Sequence, residues 1–183
     1  MNERTRRFEA VALPHLNAAY NLARWLLRDD RAAEDVVQEA YLRGFRFFDS
    51  FRGGNARPWL LGIVRKRCYS WLEERGHQCE TVEFDEERDS QVDSPVGGNL
   101  GDPETLLLRK LDKARIDRAI DGLPPVFREV IVLRELEAMS YEEIAAVAGV
   151  PAGTVMSRLA RARGLLRQAL MQDEKKDGPH GSK

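Results

Sequence analysis

The sequence predicts an all-α fold of two small helical domains joined by a flexible acidic linker, the second carrying a helix-turn-helix. Apolar residues recur at helical spacing up to residue 75 and again from about 104 to 171. Between these blocks, GHQCETVEFDEERDSQVDSPVGGNLGD has few apolar positions, clustered Asp and Glu, and late Pro and Gly, the composition of an extended linker. Within the second block, Ser140 to Arg167 places two helices either side of a Gly-Val-Pro corner. The resulting domains are 1–75, a linker 76–103, 104–171, and a polar tail 172–183 that is expected to fray.

Charge follows the same division. Lys plus Arg against Asp plus Glu stands at 14 to 10 over residues 1–75, 1 to 9 over 76–107 and 11 to 8 over 108–171, so the net charge of -1 conceals two basic blocks around an acidic spacer. The N-terminal MNERTRRFEA lacks the apolar core of a signal peptide, and no apolar run approaches the roughly 20 residues that span a bilayer. A cytoplasmic protein without membrane insertion is expected. Cys68 and Cys79 fit no metal-ligand spacing, and His15, His77 and His180 lie far apart. Reduced thiols and no metal follow. No phosphate-cradling glycine motif, nucleophile elbow or HExxH occurs, so neither an enzyme nor a cofactor is expected.

In the first block, Phe8, Val11, Leu16, Ala19, Tyr20, Ala23 and Leu27 are spaced to face inward, with Pro14 as a kink or restart. Asp29-Asp30 caps a second helix from Arg31 to about Phe48, whose inward stripe is Ala33, Val36, Val37, Ala40, Tyr41, Gly44 and Phe45. Asp35, Gln38 and Glu39 form a polar patch beside that stripe, which spacing alone reads as a solvated face. Residues 49–58 are turn chemistry, with Gly53-Gly54-Asn55 able to take positive φ. Phe47, Phe48, Phe51 and Trp59 surround Arg52 and Arg57 there, and Arg65, Lys66 and Arg67 follow on the next helix. Aromatic faces interleaved with arginines suit unstacked bases, although the same aromatics could be core.

In the second block, Leu107, Leu111 and Ala114 share a helix face, Asp121-Gly122 breaks the chain, and Pro124-Pro125 opens a helix through Phe127, Val130, Ile131 and Leu133. Ser140 with Glu143 is a capping box, and Gly149 ends the short helix that it starts. In the helix after Pro151, Val155, Leu159, Ala162 and Leu166 fall on one side, while Gly153, Ser157 and Arg161 oppose them with Thr154 and Arg158 alongside. No acidic residue occurs from Ile144 to Gln172. Small and hydroxyl residues near a helix start, with arginine as the only charge, suit entry into a DNA major groove.

Four segments taken together, AAEDVVQEAYLRGFR (32–46), SFRGGNARPWLLGIVRKRCYSWL (50–72), LPPVFREVIVLRELEAMSYEEIA (123–145) and GVPAGTVMSRLARAR (149–163), resemble a sigma factor of bacterial RNA polymerase, of the extracytoplasmic-function group. The resemblance implies a transcription initiation factor. Its first domain would bind the clamp helices of the largest polymerase subunit through Asp35, Gln38, Glu39 and Tyr41, overriding the solvated reading. The resemblance assigns melted -10 bases to Phe51, Arg52, Asn55, Trp59, Arg65, Lys66 and Arg67, and the -35 duplex to Gly153, Thr154, Ser157, Arg158 and Arg161. It further implies contact with the flap of the second-largest subunit, and an anti-sigma partner, because the chain has no sensory domain. Two departures bear on -10 preference: Lys66 where relatives usually carry asparagine, and Ser70 where they carry aspartate. The rival is a stand-alone helix-turn-helix regulator, which leaves the aromatic-basic loop without a role.

Overall fold

The computed structural model describes residues 2–76 and 113–177, and every regular element among them is helical. The expected linker beyond Gly76, the positions of Leu107 and Leu111, and His77, Cys79 and His180 lie outside the described residues.

Helix α1 (Glu3–Ala12) starts at Asn2, whose side chain accepts the Arg4 N–H. Pro14 sits in a single 3₁₀ turn, Leu13–His15, and α2 (Leu16–Leu27) restarts beyond it. Leu16, expected inward, is 41% exposed at the first position of α2, while Leu22, Trp25 and Leu26 fill the core. Asp29 caps α3 (Asp30–Arg46) by accepting the Ala32 N–H at 3.0 Å. The expected stripe of Ala33, Val36, Val37, Ala40 and Gly44 is buried, with Tyr41 and Phe45 at its margin. Asn55 then caps α4 (Ala56–Glu74).

Cys68 lies fully buried on α4, and burial pushes its thiol up to about 12. In native protein near pH 8.5, about the ordinary thiol value, Cys68 should resist iodoacetamide and react only on unfolding. Peptide mass mapping measures this, and native labelling would disprove it. The thiol's contribution to stability is complete below the unfolded value and is lost as pH rises toward the folded one, because only the unfolded thiol ionises in that window.

In the second block, α5 is described over 113–121, and its buried residues are Ala119 and Ile120. Ala114, expected inward, is exposed, because it lies roughly half a turn from them at 100° per residue. Helix α6 (Pro125–Ile131) runs into a π-helical turn, Val132–Leu136, closed by the Glu137 N–H donating to Val132 C=O at 3.0 Å. Ala138 follows with φ 51°, a left-handed conformation costing about 1–2 kcal/mol for a residue with a Cβ. Both halves of the Ser140–Glu143 capping box form at the start of α7 (Tyr141–Ala148), and Gly149 (φ 68°) ends that helix. Helix α8 (Ala152–Asp177) continues beyond Met171, into the stretch expected to fray.

The two helical regions are both present, and they pack together. One apolar core runs from Leu22, Leu26, Leu61 and Val64 to Ile131, Leu133, Met139 and Val155. Helix α4 lies across α7, and α2 meets α6. At the first crossing Gly62 faces the Val147 carbonyl oxygen, and a Cβ there would stand at an ordinary contact distance of 3.8 Å. At the second, the buried Arg128 guanidinium donates to Trp25 C=O (2.9 Å), Leu26 C=O (3.4 Å), Ile120 C=O (3.2 Å), Asp121 C=O (2.8 Å) and Leu123 C=O (2.6 Å). It thereby satisfies carbonyls at the C-terminal end of α2 and at the α5–α6 corner, groups that no helix ladder can pair.

Candidate nucleic-acid interface

The loop before α4 carries an aromatic ladder. Phe48 is buried against Phe8 at 5.3 Å between ring centroids, Phe51 stacks on Phe48 at 6.1 Å, and Trp59 tilts onto Phe51 at 5.0 Å. The aromatics therefore divide: Phe48 is core, whereas Phe51 and Trp59 are half-buried and keep ring surface at the outer end. Gly53 (φ 85°) and Gly54 (φ 87°) turn the chain beside the exposed Arg52. Asn55 is the N-cap, accepting the Arg57 N–H at 3.1 Å, so this residue has a structural duty whatever else it binds.

The basic triplet on α4 splits by environment. Lys66 is exposed. Arg65 points into the second block and holds Glu129 with two hydrogen bonds, 2.6 and 3.1 Å, with its guanidinium 4.4 Å from the centre of the Tyr69 ring. Burial alone would lower this guanidinium's affinity for its proton; the hydrogen bond and charge of Glu129, with Tyr69, outweigh burial and raise it. Arg67 binds Glu39 and, at 3.1 Å, Glu74.

On α8 the buried face is Val155, Leu159 and Ala162, and Gly153, Ser157 and Arg161 are exposed, as the spacing predicts. Ser157 Oγ donates to Gly153 C=O at 2.9 Å. Thr154 is half-buried on the flank. Arg161 rests its guanidinium 5.8 Å from the Phe127 ring centre and keeps its charge outward. Arg158 is turned inward instead, 3.4 Å from Glu129.

On α3, Asp35, Gln38 and Glu39 share one exposed face. Tyr41 is half-buried beside them, donates to Ala12 C=O at 3.0 Å, and burial raises its phenol to about 12. Gln38 and Tyr41 also border a groove of about 760 Å³ lined by Phe8, Tyr20, Leu42 and Phe45.

Spacing alone did not reveal Glu129, Glu137 and Arg128, which join the two blocks. The signal was a charged pair, Arg128-Glu129, inside the apolar run Phe127–Leu133. Glu137 accepts from Arg57 at 2.6 Å and from Asn21 at 3.1 Å, and Glu143 accepts from Asn55 at 2.6 Å.

Residues 12–78 match the family model "Sigma-70 region 2" and residues 113–166 match "Sigma-70, region 4". The ECF RNA polymerase sigma-E factor of Escherichia coli (strain K12) is 40% identical over 133 residues, covering 70% of this chain and 69% of that protein. The chain belongs to the extracytoplasmic-function group of the sigma-70 family. The sigma factor is also 33% identical over 173 residues to the RNA polymerase sigma-H factor of Pseudomonas aeruginosa, covering 90% of this chain and 86% of that one. Among solved structures it is similar to the sigma factor RpoE of Bartonella quintana in complex with the anti-sigma factor NepR, with TM-score 0.66, 29% identity and coverage of 91% and 98%. It is likewise similar to CnrH in complex with the cytosolic domain of CnrY, with TM-score 0.63, 25% identity and coverage of 92% and 90%. The aromatic loop and basic triplet fall inside the region 2 match, and the arginine face of α8 begins inside the region 4 match. No helix among the described residues is long and apolar enough to cross a membrane, and no group of His, Cys, Asp or Glu among them could hold a metal ion.

Proposed function

We propose that this sigma factor binds core RNA polymerase through the face of Asp35, Gln38, Glu39 and Tyr41 and directs it to promoters by two chemically different DNA surfaces. Phe51, Arg52, Asn55, Trp59, Arg65, Lys66 and Arg67 take the separated strand of the -10 element, where every base offers a π-face and every phosphate a charge. Gly153, Thr154, Ser157, Arg158 and Arg161 take the -35 duplex. The observation that carries this reading is that an aromatic-basic loop and a one-signed recognition helix occupy the two segments that match regions 2 and 4. A regulator using α8 alone would leave the loop idle. On this reading the chain is a cytoplasmic, non-enzymatic initiation factor, with domains 1–75 and 104–171 on either side of the linker. Its second domain meets the flap of the second-largest subunit, and an anti-sigma protein binds it, a reading supported by the likeness to RpoE in complex with the anti-sigma factor NepR.

The test is a selection of transcribed promoters from a randomised library with core polymerase, run on wild type, Lys66→Asn and Arg161→Ala side by side. Lys66 and Arg161 are exposed, so neither change disturbs the core. Lys66→Asn should shift base preference within the -10 element only. Arg161→Ala should weaken -35 binding by about 1–3 kcal/mol if it reads a base, or make the salt slope shallower by about one if it meets phosphate. Absence of specific starts with wild type, or a Lys66→Asn shift confined to -35 positions, would overturn the assignment.

A further inference from the structure

Most side chains around the outward face of α8 are short or already engaged. Gly153 has none, Ser157 Oγ donates to Gly153 C=O at 2.9 Å, and on the flanks Arg158 and Arg163 end on Glu129 (3.4 Å) and Glu135 (2.8 Å). Met156 differs from them: it is 51% exposed within the first turn and a half of the helix. At 100° per residue Met156, Ala160, Gly153 and Gly164 fall within about 80° of one another, a strip in which none of the four carries a hydrogen-bonding side chain. A Cβ at Gly153 or Gly164 would meet nothing within 4 Å, so the strip is low and Met156 rises over it. It borders Ser157 and Arg161, the exposed pair proposed for the -35 duplex. Such a strip lets the helix backbone come close to a groove floor, where its one protruding group is apolar. A major groove offers a single apolar group, the C5 methyl of thymine, and otherwise presents hydrogen-bond donors and acceptors. A thioether laid against those polar edges takes water from them and returns no strong hydrogen bond. Against the methyl it displaces nothing polar, and its three rotatable bonds let it seat there.

We propose that Met156 is a specificity-determining residue of the -35 contact, its thioether packed on the C5 methyl of a thymine beside the base pairs that Ser157 and Arg161 face. The proposal rests on the placement of α8 in the -35 major groove. Met156 selects thymine at that one position by attraction, and it disfavours the other three bases there by leaving their polar edges unpaired.

The experiment removes the methyl from the DNA and the side chain from the protein in turn. Holoenzyme assembled from core polymerase and the full chain is bound to fragments of a promoter taken from the randomised selection, with each -35 thymine replaced singly by deoxyuridine. That replacement keeps every hydrogen-bonding group and loses only the methyl. Met156 is exposed, so Met156→Ala and Met156→Leu leave the buried face of α8 untouched. One of the deoxyuridine fragments should bind wild type about fourfold more weakly, the factor for returning one buried carbon to water. With Met156→Ala that fragment and its thymine parent should bind alike, whereas Met156→Leu should keep the difference. In the randomised library Met156→Ala should lose the thymine preference at that position alone, and Met156→Arg should turn it toward guanine. A wild-type -35 element without thymine overturns the proposal, as does equal binding of every deoxyuridine fragment. Sensitivity that survives Met156→Ala also overturns it, because another side chain then holds the methyl. An Arg161→Ala effect on the -35 element without any Met156 effect rejects the proposal alone. If both substitutions leave -35 binding and selection unchanged, α8 does not read that element, and the placement fails together with the proposal.

Discussion

Asp35→Arg combined with Gln38→Arg should abolish co-purification with core polymerase while leaving helicity intact. Both side chains are exposed on α3, and the core residues Val36 and Val37 between them are untouched, so the substitutions act on the face and not on the fold. Reversing the charge at Asp35 and adding a positive charge at the neutral Gln38 should each cost about 2 kcal/mol or more, so the pair should weaken docking by about a thousandfold. Glu39 is left in place because it binds Arg67, and arginine there would set two guanidinium groups against each other. Co-purification at the wild-type level would remove this face from the polymerase contact.

Arg128→Met destabilises the protein by about 3 kcal/mol or more, on the order of a 10 °C fall in Tm. The methionine fills the volume but removes the guanidinium from the carbonyl oxygens of Trp25, Leu26, Ile120, Asp121 and Leu123, of which Ile120 C=O keeps the Leu123 N–H at 3.0 Å. Lysine does not rescue it, since one ammonium cannot span the positions that a planar fork reaches. The measurement is chemical denaturation of the whole chain, and a loss below about 1 kcal/mol, the scale of a single ordinary hydrogen bond, would mean that water replaces these contacts.

What the sequence disclosed was local chemistry. The Ser140–Glu143 box, the left-handed Gly149, the Asp29 cap and the inward stripe of α3 each depend on residues within one or two turns, and each stands where spacing puts it. The outward set of Gly153, Ser157 and Arg161 likewise follows from period alone. Longer-range features were hidden for identifiable reasons. Leu16 has the period of the buried stripe but stands at the first position of α2, just after the 3₁₀ turn at Pro14, and faces out. The π-helical turn at Val132–Leu136 has no residue signature, yet Glu137, which reaches Arg57, follows directly from it. Most of all, the partner of a charge is a matter of tertiary packing. Arg65 and Arg158 read as free cations in the sequence, and only the meeting of the two blocks shows that both reach Glu129.

The Arg67–Glu39 pair fastens the α4 surface proposed for DNA to the α3 surface proposed for polymerase. A polymerase cation that claims Glu39 releases an arginine toward the promoter strand, and a phosphate that claims Arg67 releases a carboxylate toward the polymerase. Reciprocity of linked equilibria then makes the two binding events mutually reinforcing. Glu39 is 55% exposed, so the pair is worth at most about 1 kcal/mol and the reinforcement at most about fivefold. On these proposed assignments, joining polymerase would raise promoter affinity by no more than that factor, through a single side-chain exchange.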